Sequence, residues 1–350
     1  MKVFWLVFST VIDLAKSRVL VTGGAGFIGS ALIWALNRQN ADDILVCDVL
    51  GIDEKWRSLS SLRFDDYLNA EDLLQLLESD SPVLNDIRVV FHLGACSATT
   101  EPDLGYLLKN NYGFTKTIGD WAARHRVRFV YASSAATYGD SSAGMQDDED
   151  KLDQLRPLNG YAFSKHRYDL YAWRHGLLDR FVGLKYFNVF GPNENHKGDM
   201  RSMVNKAYAQ IKQTGQLELF KSYQPEFADG EQKRDFLYVK DAVEMTLHLA
   251  IQPSAHGLFN LGSGRARSWN ELARAVFSAL ELKPNIVFVE MPELLRGKYQ
   301  YFTEANIQKL LATGYSGPRF TLEEAVVDYV RNYLAPGKLL EPSEGRGPSL

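Results

Sequence analysis

The sequence is poor in cysteine, has no long apolar run and carries no strong excess of either charge. Two cysteines, Cys47 and Cys96, among 350 residues exclude a disulfide scaffold. Both fall in apolar, strand-like surroundings and read as reduced core thiols of a cytoplasmic protein. A formal net charge of -4 from 39 basic and 43 acidic residues excludes binding of nucleic acid through a broad basic face. Any cation that meets an anionic ligand must therefore be placed individually. No segment reaches the roughly 20 apolar residues that a membrane span requires. The opening MKVFWLVFSTVIDLA is broken by Ser9, Thr10 and Asp13 and lacks a small-x-small cleavage site. Residues 1–17 read as a leader outside the fold. There is no internal repeat, no heptad pattern and no metal-ligand spacing.

What is present is a chain with 45% hydrophobic residues, enough for a large domain and a smaller one, each with its own core. The first half alternates apolar runs with helical patterns. RVLVT (18–22), DILVCD (43–48), RVVFHLGA (88–95), RFVYASS (128–134) and FVGLKYFNV (181–189) are continuous runs of the kind buried on both faces of a parallel sheet. Helices are expected between them, at about 27–39, 69–79, 104–126 and 160–177. After about 192 loops lengthen. The pattern there predicts helices over 200–214, from Val239, and over 268–281, 303–313 and 321–334. It also predicts strands at LELF, GLFNLGSGR and NIVFVE. The polar segment SYQPEFADGEQKRD reads as a loop, and the Pro/Gly/Ser-rich end as a free tail.

VLVTGGAGFIG places Gly23, Gly26 and Gly29 between a strand and a helix. The first glycine allows the turn, the second lets backbone approach a pyrophosphate, and the third lets helix and strand pack. The helix N-terminus then offers free N–H groups to phosphate. Asp48, about 20 residues on, stands where a ribose hydroxyl is read. This is a Rossmann-type α/β signature: a doubly wound parallel sheet, with a smaller C-terminal substrate-binding domain. The expected division is 18–190 for the dinucleotide domain, with returning segments at about 235–265. Residues 191–334 form mainly the substrate domain, and 335–350 the tail. Asp48 favours NAD, whereas Lys55 and Arg57 in the next loop supply charge for a 2′-phosphate.

Tyr161 and Lys165 in NGYAFSKH share a helix face at four-residue spacing. The ammonium is expected to favour the phenolate and lower the tyrosine pKa. Ser134 ends a buried strand. Together they can polarise a hydroxyl, take its proton and support hydride transfer.

These motifs, with FNVFGP, resemble the extended short-chain dehydrogenase/reductases that act on nucleotide sugars. HLGACSATTE, NNYGFTK, GPNENHKGDM, QKRDFLYVKD, FNLGSGRA and LRGKYQYFTEA are similar to the ADP-L-glycero-D-manno-heptose 6-epimerases, over about residues 18–334. The resemblance implies an isomerase that inverts C6 of an ADP-heptose in lipopolysaccharide precursor synthesis. It implies a 6-keto intermediate, a bound NADP with NAD as the alternative, and a homo-oligomer, by resemblance a homopentamer. It implies acids at Tyr161 and Lys197. Phe27, Ile28, Asp48, Val49, Lys55, Leu93, Gly94, Ala95, Cys96, Ser97, Asn110, Lys165 and Val189 would line the cofactor. Asn188, Asp199, Lys206, Phe220, Lys221, Ser222, Tyr223, Arg234 and Tyr299 would line the ADP-sugar. Arg234 suits a diphosphate by its fork of donors. Leu93, Val49, Asp199 and Lys206 depart from the family's usual Glu, Asn, Ser and His. The nearest alternative is a UDP-sugar 4-epimerase, against which the HKG loop argues. A dehydratase would carry an Asp-Glu pair where this chain has Ala135 and Ala136. A redox-sensing regulator would tend to lose the Tyr/Lys pair.

Overall fold

The computed structural model describes residues 11–342 apart from Ala143, Gly297 and Lys298, with backbone only for Leu294 and Leu295. Most of the expected leader, the end of the expected tail and the Gly-Lys of GKYQ lie outside the described residues. The strands are β1 (Arg18–Thr22), β2 (Ile44–Asp48), β3 (Asp66–Asn69), β4 (Ile87–His92), β5 (Arg128–Ser134), β6 (Val182–Tyr186), β7 (Asn188–Phe190), β8 (Leu217–Phe220), β9 (Lys233–Tyr238), β10 (Gly257–Leu261), β11 (Ala266–Ser268) and β12 (Ile286–Val289). The helices are α1 (Phe27–Arg38), α2 (Ala70–Glu78), α3 (Leu104–Leu107), α4 (Phe114–His125), α5 (Gly160–Arg174), α6 (Met203–Thr214), α7 (Val239–Ile251), α8 (Trp269–Ala279), α9 (Glu293–Arg296), α10 (Gln308–Leu311) and α11 (Leu322–Tyr329). Among the described residues no helix is long and apolar enough to cross a membrane.

Seven parallel strands form the main sheet in the order β10-β6-β5-β4-β1-β2-β3. Alternate residues of each strand feed opposite cores. Val19 and Val21 join one cluster with α1 and α7, while Leu20 joins the other with α2, α4 and α5. Each such buried aliphatic side chain contributes roughly 2 kcal/mol through burial. The order of connections reverses between β1 and β4, so a crevice opens at their carboxyl ends, where open α/β sheets bind ligands.

Arg128 holds the sheet to α7. Its buried guanidinium donates to the carbonyls of Leu249, Ala250, Gln252 and Ala255. It thereby satisfies the orphan acceptors of a helix C-terminus. Burial lowers its pKa to about 10. Two small sheets lie beyond the main one: β11-β9-β7, and the parallel pair β12-β8. α8 starts on a capping box in which Ser268 and Glu271 bond reciprocally to backbone.

The structure corrects several sequence expectations. β9 runs through part of a segment read as loop, because Lys233–Tyr238 finds partners on both sides, β7 and β11. The helix expected over 303–313 shrinks to α10. Residues 301–305 are extended and hydrogen-bonded to Lys233 and to the Asp235 carboxylate. The helix expected over 104–126 is interrupted by a wide π-helical turn at Leu108–Gly113. The free tail expected from Ala335 is docked for its first residues. Leu340 is buried, its N–H donates to Asn193, and the Trp34 indole donates to the Glu341 carbonyl.

Candidate active site

The glycine turn sits at the end of β1 with its back against the loop after β4. Gly23 has φ +69°, and a Cβ there would stand 2.6 Å from the Gly94 nitrogen. A Cβ on Gly29 would lie 2.0 Å from the Gly23 carbonyl oxygen. Both positions thus admit glycine alone. The turn through Gly26 leads into Phe27 and Ile28, the first residues of α1. This leaves a backbone cradle at a helix N-terminus, the arrangement that fits a pyrophosphate.

Asp48 closes the turn from the side. One carboxylate oxygen accepts the Ala25 N–H at 2.9 Å. The other accepts the Val49 N–H at 2.7 Å and the Lys55 ammonium at 2.8 Å. Val49 itself points outward. His196 comes close to the same acidic and basic pair. Its pKa is lowered by burial, opposed by Asp53 and Asp48 and reinforced by Lys55 and Lys197.

The loop Leu93–Ser97 forms the next wall. Leu93 N–H donates to the Thr22 carbonyl and Gly94 N–H to the Thr22 hydroxyl. Ala95 and Cys96 are half-buried and Ser97 is exposed. Cys96 is a free thiol, as is buried Cys47, whose pKa burial pushes up to about 12. Asn110 turns its amide to the Tyr106 carbonyl. Its neighbour Asn111 instead holds the loop, bonding both the N–H and the carbonyl of Cys96. Sequence reasoning missed Asn111, and the Asn-Asn pair left the choice open.

Ser134, Tyr161 and Lys165 meet at the carboxyl end of β5. α5 is started by Asn159, whose side chain accepts the Ala162 N–H. It therefore presents Tyr161 and Lys165 one turn apart toward the sheet. Ser134 and Cys96 both lie beside the Tyr161 phenol. Burial raises the phenol's pKa and the neighbouring Ser134 hydroxyl opposes it. This reverses the sequence expectation. The Lys165 ammonium is turned to the Ala132 carbonyl at 2.8 Å, so burial outweighs any lowering of the phenol by the lysine. Burial brings Lys165 itself down to about 8, with Asp169 and Cys96 opposing. Beneath this set Asp169 accepts from Lys185 at 2.9 Å, from Ser133 at 2.7 Å and from Tyr131 at 3.0 Å. Neither partner of the Lys185–Asp169 pair is exposed. The pair ties α5 to β5 and β6, and nothing in the sequence pattern singled it out.

Lys197 stands over the first residue of α1, its ammonium 5.3 Å from the centre of the Phe27 ring. Burial lowers its pKa and Glu194 opposes. Among the described residues no hydrogen bond joins it to Tyr161. Glu194 was also missed. It is buried and accepts from Gly191 N–H and from the Ser202 N–H and hydroxyl, so it clamps both ends of the Lys197 loop.

Beside this loop lies a pocket of roughly 210 Å³ lined by Asn188, Val189, Arg201, Met203, Phe236 and Trp269 among others. Arg234 lies buried at its edge. Its guanidinium stacks on Trp269 and Tyr299, centred 5.8 and 5.1 Å away, and donates to the Lys233 carbonyl. Among the described residues it pairs with no carboxylate. Trp269 and Tyr299 are themselves joined at 2.8 Å. Phe220 ends β8. Lys221 pairs with Glu290, which Tyr223 also contacts, and Ser222 N–H bonds Asp229. Asp199 is exposed, and Lys206 is on the outer face of α6, opposite buried Val204, Ala207 and Ile211.

A glycine turn on β1, a Ser-Tyr-Lys set on β5 and α5, and a second lobe fed by β7–β9 define the extended short-chain dehydrogenase/reductase class. The model of the NAD dependent epimerase/dehydratase family matches residues 19–262. The chain is 50% identical over 318 residues to the ADP-L-glycero-D-manno-heptose-6-epimerase of Nitratidesulfovibrio vulgaris, covering 90% of this chain and 98% of that one. It is 44% identical over 326 residues to the enzyme of the same name from Fusobacterium nucleatum, covering 91% and 98%. The chain belongs to the NAD dependent epimerase/dehydratase family and groups within it with the ADP-L-glycero-D-manno-heptose-6-epimerases. The crystal structure of the Helicobacter pylori enzyme of that name superposes with a TM-score of 0.75 at 26% identity, covering 92% of this chain and 97% of that one. A UDP-N-acetylglucosamine 4-epimerase from Methanobrevibacter ruminantium shares the fold, with a TM-score of 0.74 at 22% identity, covering 91% and 99%.

Proposed function

We propose that this chain inverts C6 of ADP-D-glycero-D-manno-heptose to give the L-glycero epimer, holding NADP in the crevice at the end of β1. One observation carries the substrate class. Among the described residues Arg234 is a buried guanidinium without a carboxylate, flanked by two aromatic rings. A desolvated, unpaired cation is costly, and a diphosphate offers the bidentate partner it lacks. The turn at Gly23–Gly29 fits the dinucleotide, because its close backbone packing, which a Cβ at Gly23 or Gly29 would break, sets bare backbone at the N-terminus of α1. Lys55 supports the phosphorylated form, since its ammonium sits on Asp48 at the ribose end.

A nicotinamide, when bound, accepts hydride from a carbinol carbon and returns it. The chain's own part is proton handling. Tyr161 exchanges the proton of the C6 hydroxyl, with Ser134 beside the oxygen; because burial raises the phenol's pKa, it serves as a base only where a neighbouring positive charge offsets the phenolate. Lys165 at about 8 stays largely cationic at neutral pH and offsets that negative charge. Return of hydride to the opposite face needs a proton donor there, and Lys197 serves. Its burial-lowered pKa suits a lysine that releases a proton.

The test incubates the purified protein with ADP-D-glycero-D-manno-heptose and resolves the C6 epimers, with a UDP-hexose as control. Tyr161→Phe and Lys197→Met should each slow epimerisation by about 10²–10⁴. If both variants epimerise at the full rate, the two-acid reading falls. Denaturing the protein and weighing the released dinucleotide decides NADP against NAD.

A further inference from the structure

Buried in the sheet under the dinucleotide crevice is a histidine that the proton chemistry above does not use. His92 ends β4 beside Thr22 of β1. Its Nδ1 lies 2.7 Å from Thr22 Oγ1, and its Nε2 lies 2.7 Å from Thr115 Oγ1. The direction of each bond follows from counting protons. The Thr115 hydroxyl lies 2.5 Å from the Asn111 carbonyl oxygen, a contact two oxygens make only through the hydroxyl proton. Thr115 has one proton, so its Oγ1 faces His92 as an acceptor and Nε2 must donate. At the other end Thr22 Oγ1 already accepts the Gly94 N–H. Among the described residues its own proton has one acceptor in hydrogen-bond reach, Nδ1. The opposite tautomer would set two lone pairs against each other at Thr115 and leave the Thr22 hydroxyl without an acceptor. A doubly protonated ring would do the latter too.

We propose that His92 is a positioning residue, held as the neutral Nε2–H tautomer. In that role it fixes the loop Leu93–Ser97 against the glycine turn and the catalytic helix. The chain runs one way, from Gly94 N–H to Thr22, His92, Thr115 and the Asn111 carbonyl, an arrangement in which each bond polarises the next. It does not stop there. The Asn111 side chain bonds both backbone groups of Cys96 and the Ser164 hydroxyl, and Ser164 donates to the Tyr161 carbonyl. One hydrogen-bonded path thus joins the loop behind Gly23 to the first turn of α5, where Tyr161 stands. Burial, with Lys165 nearby, keeps the ring's pKa at about 3, so its tautomer does not change over the working pH range. The cofactor part of this inference rests on the dinucleotide reading; the tautomer does not.

The experiment has two arms. Protein labelled with ¹⁵N-histidine, with His92 assigned by its loss in His92→Gln, gives the two ring nitrogen shifts directly. A protonated Nε2 and an unprotonated Nδ1, unchanged between pH 6 and 8, are expected. The reverse pattern, or a charged ring, overturns the proposal even if the protein proves to bind no dinucleotide. In the second arm, Thr22→Val and Thr115→Val remove one hydroxyl each at nearly constant volume. Each should weaken NADP binding by about 5- to 10-fold, the loss of one buried hydrogen bond, at unchanged helix content by circular dichroism. Thr115→Ser, which restores the hydroxyl, should recover most of it. NADP affinity equal to wild type in both valine variants overturns the positioning role. A wild-type protein that takes up no dinucleotide sinks the functional reading and leaves the first arm standing.

Discussion

The Lys55 ammonium lies 2.8 Å from the Asp48 carboxylate, and that same carboxylate holds the glycine turn through the Ala25 N–H. Asp48 is therefore committed on both oxygens before any ribose arrives. The pair brings together the two residues that pulled the sequence reading apart, Asp48 toward NAD and Lys55 toward a 2′-phosphate. In the fold the Lys55 ammonium offsets the Asp48 carboxylate, which lowers the repulsion that Asp48 alone would set against a 2′-phosphate.

Lys55→Ala should weaken NADP binding about 10-fold or more, one charge-assisted contact, and weaken NAD binding less. Titrating both dinucleotides into the wild type and the variant measures the ratio. An equal loss for the two would show that Lys55 acts only by bracing Asp48.

Arg234 makes a sharper case, because among the described residues no carboxylate partners it. Its pKa is lowered by burial, with Tyr299 opposing. Removing an unpaired buried charge relieves a desolvation cost. Arg234→Met should therefore leave thermal stability unchanged or raise it, while raising KM for the ADP-sugar about 10- to 100-fold. Arg234→Lys should not rescue KM, since an ammonium lacks the guanidinium fork. A variant that melts early and keeps its KM would make Arg234 a structural residue.

Lys165 sets a pH limit. Its pKa is lowered from 10.5 to about 8 by burial, against Asp169 and Cys96. Below about 8 the folded protein holds the ammonium; above it the charge is lost, and kcat should fall. Lys165→Arg, which stays charged, should abolish that alkaline limb even if its rate is lower. The stability sign is the opposite one. Between pH 8 and 10.5 the unfolded chain binds more protons at this lysine than the folded chain, so this group's contribution to stability rises with pH. Rate profiles and melting curves across pH 7–10 separate the two effects.

The parallel sheet and the nucleotide turn were legible because both are written locally. Continuous apolar runs, a glycine trio and an acidic residue at the next strand end each depend on neighbours in sequence. Tyr161 and Lys165 were legible for the same reason, sharing a helix face. What escaped is non-local. β9 exists because β7 and β11 flank it. His92 owes its role to Thr22 and Thr115, which are 70 and 23 residues away. The Lys185–Asp169 pair joins a strand to a helix. The reversed pKa of Tyr161 came from burial, which spacing does not report. Lys206 shows the converse: its position in a motif suggested a substrate contact, whereas the phase of α6 turns it outward.

Glu194 makes the last prediction, because it links loop geometry to acid strength. It is buried and takes three donors from Gly191 and Ser202, and it is the charge that opposes the burial-driven lowering of the Lys197 pKa. Glu194→Gln keeps the shape but sets an NH₂ group against one of those donors, at a cost on the order of 2 kcal/mol. It also removes the charge that raises Lys197. The Lys197 pKa should then drop further, so that the ammonium is lost at a lower pH. If Lys197 supplies the second proton, the alkaline limb of kcat that belongs to it should move toward neutrality in Glu194→Gln. The limb due to Lys165 should stay in place. The limb should also be absent from Glu194→Gln combined with Lys197→Arg, since arginine stays charged throughout. A pH–rate profile of Glu194→Gln that overlays the wild type would separate Lys197 from the proton chemistry and leave Glu194 a clamp on the loop alone.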